Sequence, residues 1–513
     1  MCDGDDTPLR RLAKHGGLNH KTSWYILLVR SYIVHHIGNI EKEKKPKMPE
    51  QNINIGLCGA GIGGLAAAIA LRRAGARVTI LEAATELGEI GAGIQMTPNV
   101  SRLLIKWGVA DIIGSNLVEF KELNMRRKDG TKVGYTRMMP NMRRDLGYPW
   151  WVVHRAHLHA GLVKVAQDHG AEILINSRVT KIDYTSSSDV TVTTEAGKSH
   201  TFDLLIGSDG INSVVRKTLF PSVKPKPPTT NCAYRAIIPY SRIQKDPIAR
   251  ELIEKPTMEV WMAENSYIIT YPICGGEDLN LVLSHHVDRL VDKVEEVDIR
   301  ELRQQYEDYD PRIKRVVDMI PEASRWPLLV TGPLESWSSP EKNVVLMGDA
   351  AHSMVNHMAQ GAATSMEDGA FLGRCIAQVV QGRMNIQQAI RVYEKARMPK
   401  AYLKQQVSFL NGAIWQLPDG PAQQARDEAM SLEVDEKPFL RSPNLYGNPA
   451  TFMSVYGYDV EKHADSELHL FMNGKDMMDD NKKMITKSVA DECLNWFLPE
   501  YYEGNQIRIE AKL

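Results

Sequence analysis

The chain has 513 residues, enough for two or more domains of roughly 100 to 200 residues each and a large buried core, which excludes a small disulfide scaffold or a lone binding module. Its 62 Lys and Arg against 63 Asp and Glu give a formal charge of -1, so no global basic field draws in nucleic acid or an anionic membrane. Hydrophobic residues make up 43% and charged ones 24%, the balance of an ordinary globular protein rather than a disordered or fibrous one.

Six cysteines, Cys2, Cys58, Cys232, Cys274, Cys375 and Cys493, are scattered with no C-x-x-C pair. Neither a zinc ribbon nor a redox dithiol can be built locally, and a reducing, cytoplasmic setting fits best. Residues 1–50 are an extension of uncertain role. Their apolar run, Trp24 to Val34, is about eleven residues broken by Arg30, against roughly 20 for a membrane span, so no confident membrane contact is expected. A secretory signal is weakened by the lack of an A-x-A-like cleavage site. Met48 follows the charge-dense stretch Glu41 to Lys47 and offers an alternative start.

From Ile53 the alternation Ile53, Ile55, Leu57 predicts a strand that runs into Gly59-Ala60-Gly61-Ile62-Gly63-Gly64 and an Ala-rich helix ending near Gly75. Gly59 suits the tight turn, Gly61 the approach of backbone to a pyrophosphate, and Gly64 close packing of helix on strand. A second strand, Val78 to Leu81, leads to Glu82, where an acid accepts ribose hydroxyls. This is a dinucleotide fingerprint in its proper context, although it does not choose between NAD and FAD. Further along, Asp203 to Gly210 reads as a buried strand ending in an Asp209-Gly210 turn, with Ser213 a cap for the helix Val214 to Leu219. Asn343 to Met347 predicts another strand ending in Gly348-Asp349, and Gly361-Ala362-Ala363 opens a helix for which Thr364 and Glu367 fit a capping box.

These segments together resemble the FAD-dependent aromatic hydroxylases, single-component flavoprotein monooxygenases, in the salicylate-hydroxylase-like branch that includes fungal secondary-metabolite enzymes. The likeness runs from about Asn52 to Asn411 and includes the loop Glu89 to Gln95 and the segment Val153-His154-Arg155. It implies an α/β fold: a Rossmann-type FAD-binding domain in two parts (51–230 and 331–410, the second with a long helix), an inserted mixed β-sheet substrate domain (231–330) and a helical C-terminal region (411–513). It further implies that Glu82 binds the adenosine ribose, that the Gly91 to Gln95 backbone, with Gly93 and Gln95, lies along the flavin, and that Arg155 contacts FAD. Asp349 would hold the ribityl chain, and Ala362 and Ala363 would offer backbone N–H groups to the flavin, whose reduced form is anionic. With only one G-x-G-x-x-G after a strand, NADH or NADPH is expected as a transient co-substrate. The Asp209-Gly210 turn is similar to a motif linked to both FAD and NAD(P)H; an ordinary helix cap is the other reading of Asp209.

Short alternating runs at Cys232 to Pro239, Thr257 to Met262, Tyr267 to Ile273 and Leu279 to His285 predict the substrate-domain sheet. Period-two geometry puts Arg235 with Ala233 and Ile237, opposite Tyr234, and puts Tyr267, Ile269, Tyr271 and Ile273 on one face. Arg235 and Tyr267 are the catalytic candidates. A flavin hydroperoxide is electrophilic, and ionising the substrate phenol makes the ring far more nucleophilic; an arginine stabilises phenolate or carboxylate and fixes which carbon faces the peroxide. Their alternatives are a snorkelling arginine and a core tyrosine. No metal motif accompanies His154, His157, His159, His352 or His357, so no metal is expected; His352 reads as packing beside FAD. Glu367 to Val380 and Ile386 to Leu410 predict helices, the second interrupted at Pro399 and packing across both domains. Tyr456 to Tyr458 is similar to the family's closing segment, while Trp496 and Phe497 either cover a core or mediate association, for instance a homodimer.

The expected partners are a small aromatic substrate and O2, with no nucleic acid. The expected function is FAD-dependent, NAD(P)H-consuming hydroxylation of a phenolic or similarly activated ring. Two rivals stay open: a flavoenzyme of the same fold doing epoxidation, oxidative decarboxylation or dearomatisation, and a non-catalytic flavin-binding protein.

Overall fold

Ile53, Ile55 and Leu57 are all buried, and the strand that they begin, Asn54–Cys58, lies in the middle of a sheet, as suits a strand apolar on both faces. The computed structural model describes residues 52–88, 91–186 and 189–474, all within one compact unit beginning at Pro49. The expectations for residues 1–50, for Glu89 and Ile90, and for Trp496 and Phe497 fall outside the described residues.

The first sheet runs in the order Val344–Leu346, Leu204–Gly207, Asn54–Cys58, Arg77–Leu81, Glu172–Leu174, and every pairing is parallel. Parallel pairing brings Gly59, Ser208-Asp209 and Gly348-Asp349 together at the carboxyl ends of three adjacent strands, where open α/β sheets bind ligands. Two helices that leave this edge, Ile62–Arg73 and Gly361–Val380, pack on each other without intervening side chains. A Cβ on Gly369 would stand 2.7 Å from the Ala67 backbone, one on Gly373 2.8 Å from Ala70 Cβ, and one on Gly63 2.9 Å from Ser365 Cβ. These contacts advance in the same direction along both helices, so the two are parallel and their N-termini lie at the same end.

A second sheet of eight strands follows the order Glu295–Val297, Ala323–Pro327, Asn231–Pro239, Asp278–His286, Ser266–Ile273, Thr257–Ala263, Glu122–Arg127, Lys132–Arg137. The four middle strands are those read from the alternating runs. The last two come from the chain before residue 231, joined by a parallel pairing of Glu122–Arg127 with Thr257–Ala263. One face of the sheet carries Ala233, Tyr267, Ile269, Tyr271 and Val282 and packs with Trp150, Trp415, Tyr446 and Tyr456. The other carries Tyr234, Trp261, Ile268, Leu281 and Leu283 and is covered by Leu302, Ile313 and Val316 from two short helices. No helix among the described residues is long and apolar enough to cross a membrane.

Two local expectations fail. Pro399 does not interrupt its helix, which runs unbroken from Ile386 to Trp415. The lost backbone bond is outweighed by packing on both sides: Ile390 and Tyr393 sit in the core of the parallel sheet, and Val407, Leu410 and Trp415 in that of the mixed sheet. Nor does the capping box form, since helix Gly361–Val380 starts after Gln360 without a side-chain cap. Thr364 Oγ1 instead donates to Gln360 O at 2.6 Å, and Glu367 is claimed by cations. Its carboxylate meets Arg397 Nη2 at 2.9 Å and Lys404 Nζ at 2.5 Å, while Asp368 accepts from Arg397 Nε at 2.8 Å and His352 Nε2 at 2.6 Å.

All five side chains of this cluster are buried. Burial alone would raise both carboxyls, but Lys404 and Arg397 hold Glu367 below the usual carboxylate range, and His352 and Arg397 do the same for Asp368. Stability drawn from these lowered values is present above the unfolded carboxyl range near pH 4 and is lost as pH falls through the folded values. Arg397→Met, which leaves two buried carboxylates with reduced compensation, should cost about 3 to 5 kcal/mol. Thermal and urea unfolding should register that loss at neutral pH, and the gap from wild type should narrow in acid.

Candidate active site

The glycine turn is locked from several sides. Gly59 has φ +97°, and a Cβ there would stand 2.8 Å from Ser208 O, a combination that favours glycine. A Cβ on Gly64 would stand 2.1 Å from Gly59 O, so helix and turn touch backbone to backbone. Gly61 has open space where its Cβ would be. Between them Ala60 donates its N–H to Glu82 Oε2 at 2.6 Å, and its carbonyl lies 2.8 Å from His159 Nε2. Glu82 Oε1 accepts from Ala84 N at 2.7 Å, and the carboxylate retains lone pairs for further donors.

Gly61, Ile62 and Gly63 open onto a cavity of about 300 Å³ that also takes in Gly93, Gln95, Arg155, Ser208, Gly210, Asp349, Gly361, Ala362, Arg235 and Tyr267. Both parallel helices reach it with N-termini that have no side-chain cap and no acid in the first turn. Their orphan N–H groups and dipoles therefore favour negative charge in the cavity. Asp349 opens the helix Asp349–His352 behind Gly348 at φ +59°. Its side chain is exposed to the cavity that it lines; the surrounding protein raises its pKa by desolvation, with His352, Arg155 and Arg216 pulling the other way.

The remaining sequence candidates are held by contacts of their own, some on the cavity lining and some behind it. Gly93 donates its N–H to Asn280 Oδ1 at 2.6 Å and accepts from Tyr271 OH at 2.9 Å, stitching its strand to the mixed sheet, and Gln95 accepts from Trp150 Nε1 at 3.2 Å. Arg155 begins helix Arg155–Asp168, with its N–H on Ala92 O at 3.3 Å. Asp209 stands behind the cavity wall formed by its neighbours Ser208 and Gly210. One of its oxygens accepts from Val214 N at 2.6 Å and Val215 N at 3.2 Å, alongside Ser213 Oγ, which takes Arg216 N at 2.8 Å, so Asp209 has the geometry of a helix cap. Desolvation pushes its pKa up. Ala362 lines the cavity; Ala363 is buried behind it.

The far wall is the inner face of the mixed sheet. Strand register pairs Arg235 with Val282 and Val282 with Ile269, so Arg235 projects on the same side as Ile269 and its face-mates Tyr267 and Tyr271. The Arg235 guanidinium lies 5.5 Å from the Trp326 ring and opens into the cavity. Desolvation and repulsion from Arg155 depress its pKa, while Tyr271 and Tyr267 support the charge, and an arginine remains a cation throughout the useful pH range. Tyr234 projects to the other face, its hydroxyl accepting from Arg325 Nη2 at 3.1 Å.

Sequence reading missed Met354, Asn356, Trp415 and Tyr446, which also line the cavity, and His357, whose Nδ1 lies 2.7 Å from Tyr267 OH. His352, paired with Asp368, packs 4.9 Å from the Trp337 ring, away from the cavity lining. Among the described residues no group of His, Cys, Asp and Glu is arranged to hold a metal ion.

Open space at Gly61, two uncapped helix ends and a carboxylate facing the same cavity fit a diphosphate joined to a polyol and an electron-accepting ring. Residues 53–406 match the FAD binding domain family, and the chain belongs to it. It is an FAD-dependent monooxygenase of the aromatic hydroxylase type, a group in which NAD(P)H is the usual co-substrate. The FAD-dependent monooxygenase OpS4 of Beauveria bassiana is 33% identical over 81% of this chain and 97% of its own. 3-Hydroxybenzoate 6-hydroxylase of Polaromonas naphthalenivorans is 33% identical over 67% and 83%. In fold the chain is similar to a salicylate hydroxylase substrate complex, with a TM-score of 0.65 at 19% identity over 81% and 98%.

The glycines separate folding from cofactor binding. Gly61→Ala meets no protein atom, so it should unfold like wild type without FAD yet bind FAD at least about tenfold more weakly, a loss of roughly 1.4 kcal/mol. Gly64→Ala, by contrast, should not give a stable fold. Calorimetric FAD titration beside thermal unfolding of the cofactor-free proteins distinguishes the two.

Proposed function

We propose that this enzyme adds one oxygen atom to a phenolic or similarly activated aromatic ring, with NAD(P)H and O2 as co-substrates. The observation that carries this reading is Arg235, set on the cavity wall beside Tyr267 and Tyr271 and opposite the helix end at Gly361-Ala362. Bound FAD supplies electrons taken from NAD(P)H and the activation of O2. The chain's own residues bind, orient and keep the site dry.

Arg235 offers fixed positive charge and several donors to a phenolate or carboxylate; it favours the ionised form of a phenol, whose ionisation raises the electron density of the ring, and it sets which carbon faces the cofactor. Ile269, Val282, Met354, Trp415 and Tyr446 surround that position and exclude water. The hydroxybenzoate relative supports a hydroxylated ring as substrate, and the fungal relative supports oxygenation as the chemistry.

At the cofactor end, Gly59, Gly61 and Gly64 would admit the diphosphate of FAD, Glu82 would hold the adenosine ribose, and Asp349 would hold the ribityl hydroxyls. Gly93, Gln95 and Arg155 would hold the ring system. Ala362 would offer it backbone N–H from the helix end, with Ala363 packed behind. Asp209 acts through the turn that it caps, by placing Ser208 and Gly210. Cys58, Cys232, Cys274 and Cys375 are free thiols, which supports a cytoplasmic setting.

The test is NAD(P)H oxidation across a panel of phenolic acids and polyketide phenols, with labelled oxygen traced into product. Stimulation without oxygen incorporation counts against hydroxylation, and product structure separates it from epoxidation or decarboxylation. Arg235→Met should retain FAD while product formation falls about a hundredfold or more, as when one transition-state donor is removed; wild-type turnover in that variant removes Arg235 from the mechanism.

A further inference from the structure

A loop of the C-terminal region bounds the cavity lined by Arg235 and Tyr267, and a second cavity lies against the same loop. Tyr446 lines the first, whereas its neighbour Gly447 lines an outer cavity of about 570 Å³ with Phe439, Phe452 and Met453. Met453 is 59% exposed, so the outer cavity opens to solvent. The division continues into the next turn: Phe452 and Met453 face outward, while Tyr456 is fully buried, its ring 5.9 Å from that of Tyr446. Adjacent residues of one segment thus face two spaces.

The ring of Tyr446 is the middle plate of a stack. Trp150 lies 5.5 Å from it and Trp415 5.7 Å, each at an interplanar angle of 24°, an offset geometry that aromatic pairs favour. Trp415 in turn meets Tyr267 edge-on at 4.9 Å, which places Tyr446 two rings from the wall that carries Arg235. Trp150 is backed by Gln95, whose Oε1 accepts the indole N–H at 3.2 Å. With a tryptophan on each side, the buried tyrosine ring has little room to swing aside.

The backbone leading into Tyr446 is fixed by one buried carboxylate, that of Glu433. It accepts from Ser442 Oγ, from Asn444 Nδ2 at 3.0 Å and from Tyr135 N at 3.0 Å, and so joins the loop to strand Lys132–Arg137 at the edge of the mixed sheet. Asn444 Nδ2 also reaches Thr136 Oγ1 at 2.9 Å, and Asn444 Oδ1 takes the Tyr446 N–H at 3.2 Å. Asn448 closes the turn, with its N–H on Asn444 O at 2.8 Å and its Nδ2 on Ser442 O at 2.8 Å. Glu433, Ser442, Asn444 and Asn448 are all buried, where an unmade hydrogen bond is costly and a satisfied network specifies one arrangement.

Resting on the reading of Arg235 given above, we propose that Tyr446 is a specificity-determining residue, its ring the wall that limits how far an aromatic substrate held by Arg235 extends, and that Glu433 is the positioning residue that keeps this wall in place. The substrate class so admitted is an aromatic acid or phenol whose edge away from the anchoring group carries no large substituent. Loss of the Tyr446 ring joins the space beside Trp415 to the outer cavity and makes room for a further fused ring. Apolar surface buried there is favourable, whereas against the intact wall the same ring clashes.

The experiment uses FAD-loaded enzyme and two probes, salicylate and 3-hydroxy-2-naphthoate, which share adjacent carboxylate and hydroxyl groups and differ by one ring fused on the far edge. Binding is followed through the perturbation of flavin absorbance at about pH 8.5, where Glu433, raised by burial to about 7, is ionised. Wild type should bind salicylate about tenfold more tightly than the naphthoate. Tyr446→Leu should shift that ratio at least about tenfold toward the naphthoate, and Tyr446→Phe, which keeps the ring, should leave it within about twofold. Glu433→Gln keeps the size of the anchor but loses an acceptor, and should move the ratio about threefold the same way with FAD content unchanged. An unchanged ratio in either Tyr446→Leu or Glu433→Gln overturns the proposal, as does a shift in Tyr446→Phe equal to that in Tyr446→Leu. So does a wild type that binds both probes equally or responds to neither. Oxygenation with an unmoved ratio defeats this inference alone, whereas the expected ratios without labelled oxygen in any product defeat the functional reading.

Discussion

Everything at the cofactor end depends on how closely two helices approach. Ile62–Arg73 and Gly361–Val380 meet through Gly63 and Ser365, Ala67 and Gly369, Ala70 and Gly373, so one carries an alanine face and the other a glycine face. Parallel alignment of helix dipoles is mildly unfavourable between neighbours, and close packing of small residues offsets it. The return is local: two sets of orphan N–H groups open onto one cavity. A methyl group inserted along this seam moves one N-terminus relative to the other, and with it the relation between diphosphate and flavin.

The opposite wall obeys a different constraint, the two-residue period of a strand. Arg235 and Tyr234 are neighbours in sequence, yet one serves the cavity and the other joins the buried outer core. A sheet holds reactive groups at fixed spacing with little freedom, and the stitch from Tyr271 and Asn280 to Gly93 ties that wall to the cofactor side. The charged side chains on the cavity are Arg155, Arg235 and Asp349. With helix N-termini added, the balance is positive, which suits an anionic reduced flavin and an anionic or acceptor-rich substrate together.

Local grammar made much of this legible. Strand, glycine turn and helix depend on near neighbours, and so did the alternation that put Arg235 and Tyr267 on one face. What failed depended on distant residues. Thr364 and Glu367 have capping-box spacing, but Glu367 is worth more to two cations than to its own helix end. Pro399 ends helices in isolation, whereas here two separate cores hold both halves of the helix in line. His357, Trp415 and Tyr446 reach the site from segments about 90 to 180 residues beyond Tyr267, and no short-range periodicity could assign them to it. Strand Glu122–Arg127 joins the mixed sheet through a parallel pairing that its own sequence does not announce.

The buried ion cluster is best understood by asking what an apolar replacement would lose. Buried ion pairs often add little net stability over well-packed hydrophobic side chains, so stability alone is a weak reason for Arg397, Lys404, Glu367 and Asp368. Asp368 Oδ2, however, also accepts the Gly348 N–H at 3.0 Å while holding His352, and Gly348 carries the left-handed turn that aims Asp349 into the cavity. At the other end, Arg397 Nη1 reaches Tyr458 OH at 3.1 Å and Glu367 reaches Asn99 Nδ2 at 2.6 Å, tying in the C-terminal segment and the helix Pro98–Trp107. A leucine in place of Asp368 could fill the space but not receive the Gly348 N–H, and the carboxylate of Asp349 would lose its fixed direction. The cluster is therefore better explained by the geometry that it imposes on the cofactor turn than by the energy that it adds to the core.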